Sequence, residues 1–520
     1  MGSIAAVMVF VPDSSAINRR RFLAALAAVP LAASACGNGS PDSPAPSGGP
    51  MGFDRPLPIP QLAPSQVIDG VRRFTLQAAP GTTEIVAGTR TPTWGYNGSV
   101  LGPTLRAARG ETVAITVDNQ LPESTTTHWH GMHLPARYDG GPHQPIATGT
   151  RWEPSWRINQ PAASLWYHPH PHGATLKHVY RGLAGMFLID DDTSPEGLPK
   201  TYGVDDIPLI LQDLKFHPDG RLDESDPEDR GLLGNTTATN GITGAYLQVS
   251  TGRVRLRILN ASVGRIYTLG FSDNRTFTLI ASDGGLLEKP VPLQRIQLSP
   301  AERAEIIVEM SPGKPVMLRG YPMTRWPDET WRGRFGLAES FDILALRPAQ
   351  NLRHSPAVPD TLAPLPPAAP PAGALVRRFH LQRGTNAAGK NIFKINDQLM
   401  DMARIDFDIT DGAHEIWEVA GGDRVWPHNF HIHDTQFRIL QIAGAPPPPE
   451  LAGWKDTVFI YPQTTVRLAA RFSGYTDPVN PYMYHCHMLF HEDQGMMGQF
   501  RTLAPGQQPG SSATGPGMHS

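Results

Sequence analysis

Only two cysteines occur in 520 residues, Cys36 and Cys486. They cannot make a disulfide framework, so Cys486 must owe its place to another chemistry. Charge is scarce and balanced: the net is −3, with no stripe of Lys or Arg. That argues against nucleic acid or an anionic membrane surface as partner. No internal apolar run approaches the ~20 residues that cross a bilayer. Amphipathic helical patterns are few, whereas Gly (51) and Pro (52) abound. Such a balance favours short strands joined by many turns.

What is present first is an export signal. Asn18-Arg19-Arg20-Arg21-Phe22-Leu23 precedes the small, apolar AALAAVPLAASA, a twin-arginine pattern, and the flexible GNGSPDSPAPSGGP follows. Residues 1–17 are superfluous to that signal and point to a misassigned start codon. Ala33-Ser34-Ala35 before Cys36 reads both as an A-x-A cleavage site and as an imperfect lipobox. The tether after it favours a lipid anchor at Cys36, and either reading places the protein in the periplasm or cell envelope.

Apolar and polar residues alternate in Arg253–Ile258, Thr112–Val117, Glu415–Val419 and Thr465–Ala469, the pattern of half-buried antiparallel strands. Pro80-Gly81, Asn97-Gly98, Asp219-Gly220, Asp283-Gly284 and Asp411-Gly412 read as turns between strands. The fold class is therefore all-β sandwiches. An internal echo divides them. Tyr167-His-Pro-His170 and Tyr484-His-Cys-His487 each follow another histidine-rich segment, while residues 200–345 hold almost no histidine. The expected organisation is signal and linker 1–50, β-domains 51–195, 196–350 and 374–505, a Pro-rich linker 351–373 and a tail 506–520. The middle domain reads as a spacer that lets the third fold back on the first.

Four motifs carry the chemistry: His128-Trp-His130-Gly, His168-Pro-His170, His428-x-x-His431-x-His433, and His485-Cys486-His487 followed by His491 and Met496. In a strand, residues i and i+2 face one side, so each His-x-His presents two imidazoles together. Structural zinc is closed by four ligands and needs no such array. Two histidines, a thiolate and a distant thioether match a blue-copper site, which here would be His428, Cys486, His491 and Met496. On one strand Cys486 would face away from His485 and His487, linking that copper to metals held by its neighbours through two short backbone paths.

These motifs, in this order, resemble the multicopper oxidases, the family of laccases, bilirubin oxidases and bacterial copper efflux oxidases. The likeness spans most of residues 55–505, and PLILQDLKF, SDNRTFTLIASDGGLLEKP and AGWKDTV are similar to the efflux-oxidase subgroup. The resemblance implies three cupredoxin-like Greek-key β-sandwich domains and four coppers. It assigns His128 and His431 to a type 2 copper. His130, His168, His170, His433, His485 and His487 would hold the type 3 pair, and His428, Cys486, His491 and axial Met496 the type 1 copper. It implies four one-electron oxidations of a small reductant, a phenol or cuprous ion, coupled to reduction of O₂ to two waters in a monomer, with copper tolerance as one use. Asp139 and Glu492 match acids of the proton supply; the plainer alternatives are a turn aspartate and a surface glutamate. His172 has no ligand counterpart; His133, His143 and His178 read as supporting or surface residues, Met497 as packing, and Met400, Met402 and Met488 as packing ahead of the alternative that they line a copper entry route.

The chain also departs from that subgroup. Its Met- and His-rich insert is replaced by the short RGTNAAGKNIFKIN. The acid expected four residues before His428 is Arg424, with Asp423 one further back. Both suggest a more open type 1 face that admits bulky aromatics. Asp434 stands after His433 where glycine is usual. The expected activity is a multicopper oxidase. The rivals are a copper-sequestering envelope protein and a structural cupredoxin of the kind that serves cell division without ligands.

Overall fold

The computed structural model describes residues 52–510; the export signal, Cys36 and the last ten residues lie outside them. Three pairs of β-sheets account for the described chain. The first pair is built around Val71–Thr83 and Thr112–Asn119 on one side, and Leu105–Ala108, Gly185–Asp190, Ala163–His168 and His128–His130 on the other. The middle pair runs from Asp206–Leu214 to Phe341–Arg353. The third pairs a sheet around Leu375–Thr385 and His414–Gly421 with one around His428–Ile432, Tyr482–His485 and Met497–Leu503. Each sandwich encloses its own apolar cluster, centred on Trp129 and Phe187, on Leu256 and Ile306, and on Trp417 and Phe500. The α-helices of the described residues are three short ones, Thr175–Tyr180, Glu329–Arg334 and Leu489–Asp493. Among the described residues no helix is long and apolar enough to cross a membrane. Residues 354–374 contain no strand or helix.

Three local expectations fail, each for a physical reason. The sheets are mixed rather than antiparallel: Val71–Ala78 runs parallel to Thr112–Asn119, and Leu375–Leu381 to Glu415–Gly421. In the first case the chain crosses to the other sheet at Leu105–Ala108 and returns, so it comes back pointing the same way. The arginine face of Arg253–Asn260 is buried as well, because the first sandwich covers it. There Arg257 forks onto Asp206 (2.6 and 3.0 Å) and meets Glu305 (2.9 Å) and Ser164 (3.0 Å). Pro80-Gly81 is no turn but lies inside the thirteen-residue strand Val71–Thr83. The other four Gly pairs do lie at chain reversals.

Candidate metal centre

The ladder itself gathers the histidines. His128 pairs with His168 across one sheet of the first sandwich, and His431 pairs with His485 across one sheet of the third. The two strand ends face each other, and eight buried imidazoles meet in the seam: His128, His130, His168, His170, His431, His433, His485 and His487. Nε2 of His170 and His433 lie 3.1 and 3.2 Å from Nε2 of His485, and His487 Nε2 lies 3.4 Å from His168 Nε2. The outward ring nitrogens of three donate to fixed acceptors. His128 Nδ1 donates to Asp139 O (2.9 Å), His168 Nδ1 to Pro169 O (2.9 Å) and His431 Nδ1 to Asp456 O (2.7 Å). Each such bond selects the tautomer whose Nε2 lone pair points inward. Burial holds His128, His130, His168, His431, His433 and His487 well below the usual imidazole range, and His170 at about 4. Neutral rings with converging lone pairs, two of them (His128 Nε2 and His431 Nε2) buried without any hydrogen-bond partner, are the donor set a metal cluster needs.

The two acids singled out in the sequence reach outer ring nitrogens. Asp139 Oδ2 accepts from His433 Nδ1 at 2.7 Å, and burial, with Asp434 nearby, raises its carboxyl well above the usual range. Glu492 sets Oε2 3.0 Å from His485 Nδ1 and Oε1 3.4 Å from His170 Nδ1. Burial opposes its charge, but the two facing imidazoles hold it down at about 2. Both acids are buried, so neither is a surface group. Gly140 makes the Asp139 position possible: at φ +77° a Cβ there would sit 1.8 Å from Thr127 O.

The thiol lies on the other side of the same chain segment. The strand expected to carry all of His485–His487 ends at His485, yet the alternation persists for two residues. Cys486 Sγ faces away from the cluster, 3.5 Å from His491 Nδ1 and 3.9 Å from His428 Nδ1. Burial pushes the thiol up to about 12, so a thiolate here requires a cation beside it. Met496, wholly buried, is held beside both by Cys486 N→Met496 O (3.1 Å) and Met496 N→His491 O (2.9 Å). The ring of Phe393 stacks on His491 at 3.9 Å.

The sequence departures resolve in the tertiary contacts. Asp423, although five residues before His428, places Oδ2 2.9 Å from His428 Nε2 and so occupies the role assumed to be displaced. Asp434 adopts φ +70°, a backbone region glycine prefers and aspartate tolerates, and its carboxylate receives His133 Nδ1 at 2.7 Å. The face over His491 is covered rather than open. Residues 226–233 and Phe335 of the middle sandwich close over it, leaving a cavity of about 240 Å³. Leu232, Ile266, Phe335, Met488 and Phe490 give it apolar walls, and Asp226, Glu228 and Arg230 add charge. Met488 thus belongs to this cavity as well as to packing.

Every site residue singled out in the sequence falls at one of these two centres. His172 is exposed and His143 and His178 bond to Gln499 and Glu123, so none of the three joins either centre. Two residues of the seam carried no sequence signal: Asp456, with Oδ1 3.0 Å from His130 Nε2, and Arg303, which forks onto Asp456. The AGWKDTV stretch held the first in view, without a role.

Cupredoxin-like sandwiches with a His₂Cys site and a histidine cluster on opposite faces of one segment define a class of copper proteins. The family described as multicopper oxidase matches residues 77–194 and 371–505. The multicopper oxidase mco of Staphylococcus haemolyticus is 35% identical over 451 residues, 85% of this chain and 91% of that protein. The cell division protein FtsP of Escherichia coli K12 is 36% identical over 495 residues, 93% and 98% of the two. A laccase crystal structure from Pediococcus acidilactici superposes with a TM-score of 0.78 at 35% identity, covering 86% of this chain and 94% of that one. The chain belongs to the multicopper oxidase family.

Proposed function

We propose that this protein oxidises a small aromatic reductant at the Cys486 centre and delivers the electrons to O₂ at the histidine seam. His428, Cys486, His491 and Met496 would hold one copper. His128 with His431 would hold a second, and His130, His168, His170, His433, His485 and His487 a pair. Copper at these donors supplies one-electron redox chemistry and Lewis acidity toward oxygen. The observation that carries the reading is the junction at Cys486: its Sγ lies at one centre while the adjoining residues, His485 and His487, lie in the other.

The cavity against His491 supports an aromatic reductant, since Ile266, Phe335 and Phe490 offer a ring apolar contacts, Arg230 and Glu228 could meet its polar substituents, and Met488 is the cavity's one thioether. A cuprous ion would be better served by several soft sulfur donors. Proton supply falls to the two acids. Asp139, its carboxyl raised by burial, accepts from His433 Nδ1, and Glu492 spans His170 and His485. The twin-arginine stretch at residues 18–23 supports export to the cell envelope. The likeness to FtsP keeps a structural role as the rival, against which stands the retention of all ten histidines, Cys486 and Met496. O₂ consumption by the copper-loaded protein, with a panel of phenols and with Cu(I), tests the reading. Faster turnover of phenols than of Cu(I) is expected, and no O₂ uptake with either would overturn it.

A further inference from the structure

The middle sandwich carries no histidine of the seam, yet one of its side chains reaches into it. Arg303 is fully buried and uses all five of its guanidinium N–H groups. Nε donates to Ser164 O (2.9 Å) in the first sandwich. Nη1 donates to Ala301 O (3.2 Å) and Asp456 Oδ1 (2.7 Å), and Nη2 to Asp283 O (2.9 Å) and Asp456 Oδ2 (2.6 Å). The fork fixes the plane of the Asp456 carboxylate, which belongs to the third sandwich.

Asp456 in turn touches histidines from both sides of the seam. Its Oδ1 accepts from His130 Nε2 (3.0 Å) of the first sandwich, so His130 turns Nδ1 inward, 3.4 Å from His168 Nε2. Its main-chain oxygen accepts from His431 Nδ1 (2.7 Å) of the third. Thr457 Oγ1 donates to the same Oδ1 (3.0 Å) and lies 3.2 Å from His130 Nε2. The two rings so held stack at 3.7 Å and 11°. Gly131 leaves the space: a Cβ there would meet Asp456 Oδ2 at 2.4 Å and Arg303 Nη2 at 2.8 Å.

We propose that Arg303 is a positioning residue through which the middle sandwich sets the geometry of the histidine cluster. It acts by orienting Asp456 and thereby pairing His130 with His431. The claim about copper rests on the assignment of these histidines as ligands; the claim about ring positions does not. A plain staple between sandwiches would need only a buried ion pair. Arg257 provides that comparison, for it bridges Asp206, Glu305 and Ser164 without touching a histidine.

The test compares full-length Arg303→Lys and Arg257→Lys. A lysine offers three donors from one point and cannot reproduce the five-bond fork. Both variants should melt at lower temperature. Only Arg303→Lys should change the type 2 electron paramagnetic resonance signal and weaken copper uptake by the apo-protein's cluster, on the order of 10- to 100-fold. The type 1 absorption should be the same in both. A wild-type type 2 signal and affinity in Arg303→Lys would reduce Arg303 to a staple. Should that variant not fold, Arg303→Gln combined with Asp456→Asn removes both buried charges, and its type 2 signal should still differ from wild type; an unchanged signal there overturns the proposal. If the wild-type protein has no type 2 signal, the ligand assignment falls. The positioning claim is then decided by the crystal structure of metal-free Arg303→Lys, where His130 still stacked on His431 overturns it.

Discussion

Acidifying the metal-free protein should loosen the histidine seam while the copper-loaded protein holds. His170 shows the size of the effect. In the unfolded chain its imidazole takes a proton near the usual 6.5, whereas in the folded protein burial pushes that down to about 4. A depressed folded pKa means the unfolded chain binds more protons throughout this window. The stabilisation is therefore complete above 6.5 and is lost as pH falls towards about 4. At about 1.4 kcal/mol per pH unit, His170 alone accounts for about 3 kcal/mol. His128, His130, His168, His431, His433 and His487 are depressed with the same sign. Asp139 and Asp434 work the other way, because burial raises their carboxyls and protonation then favours the folded state. The more numerous histidines dominate. Thermal unfolding of apo and copper-loaded protein at pH 7.5, 6 and 5 measures the balance, taking the first transition because several sandwiches need not melt together. The apo midpoint should fall steeply below pH 6.5 and the loaded one much less, since bound metal occupies the lone pairs. His170→Gln should flatten the apo dependence by up to about 1.4 kcal/mol per pH unit in the middle of the window. Equal slopes with and without copper would refute the reasoning.

Three further outcomes follow from the same geometry. Cys486→Ser should abolish the blue absorption and the oxidase activity together, because a hydroxyl cannot replace the thiolate; retained colour would sink the type 1 assignment. Asp423→Ala removes the acceptor at His428 Nε2 (2.9 Å). Losing a charge-assisted bond of about 1.5–3 kcal/mol should raise the type 1 potential by tens of millivolts in a redox titration, and an unchanged potential would exclude Asp423 from tuning the site. Asp139→Asn keeps the acceptor for His433 but loses the carboxyl proton. It should slow O₂ reduction in steady state on the order of 10²-fold while the type 1 copper still reduces at the wild-type rate under anaerobic stopped flow. A loss in both half-reactions would point to damaged structure instead.

Much of this was legible along the chain because it is periodic and local. Alternation marked the strands, and the four histidine motifs marked the donors, since residues two apart share a face. Contacts that residue spacing does not record were not legible. Asp423 looked displaced by one position, yet Asp423 Oδ2 still reaches His428 and also receives Arg383 N at 2.9 Å. The missing insert suggested an open face, but residues 226–233 come from a different sandwich and cover it. The alternating arginines of Arg253–Ile258 read as a solvated face because nothing local records that the first sandwich lies on it.

By itself the sequence determined the all-β class and picked out the side chains that gather at the two centres, because both depend on residue spacing of two to five positions. It also determined that Cys486 stands between two cluster histidines. Tertiary structure alone decided which ring nitrogen faces inward, since that is set by acceptors as remote as Asp139 for His433 and Asp456 for His130. It also decided that the middle sandwich is more than a spacer. Arg303 meets Asp456 across 153 positions, and a buried guanidinium finds five acceptors only where three sandwiches converge.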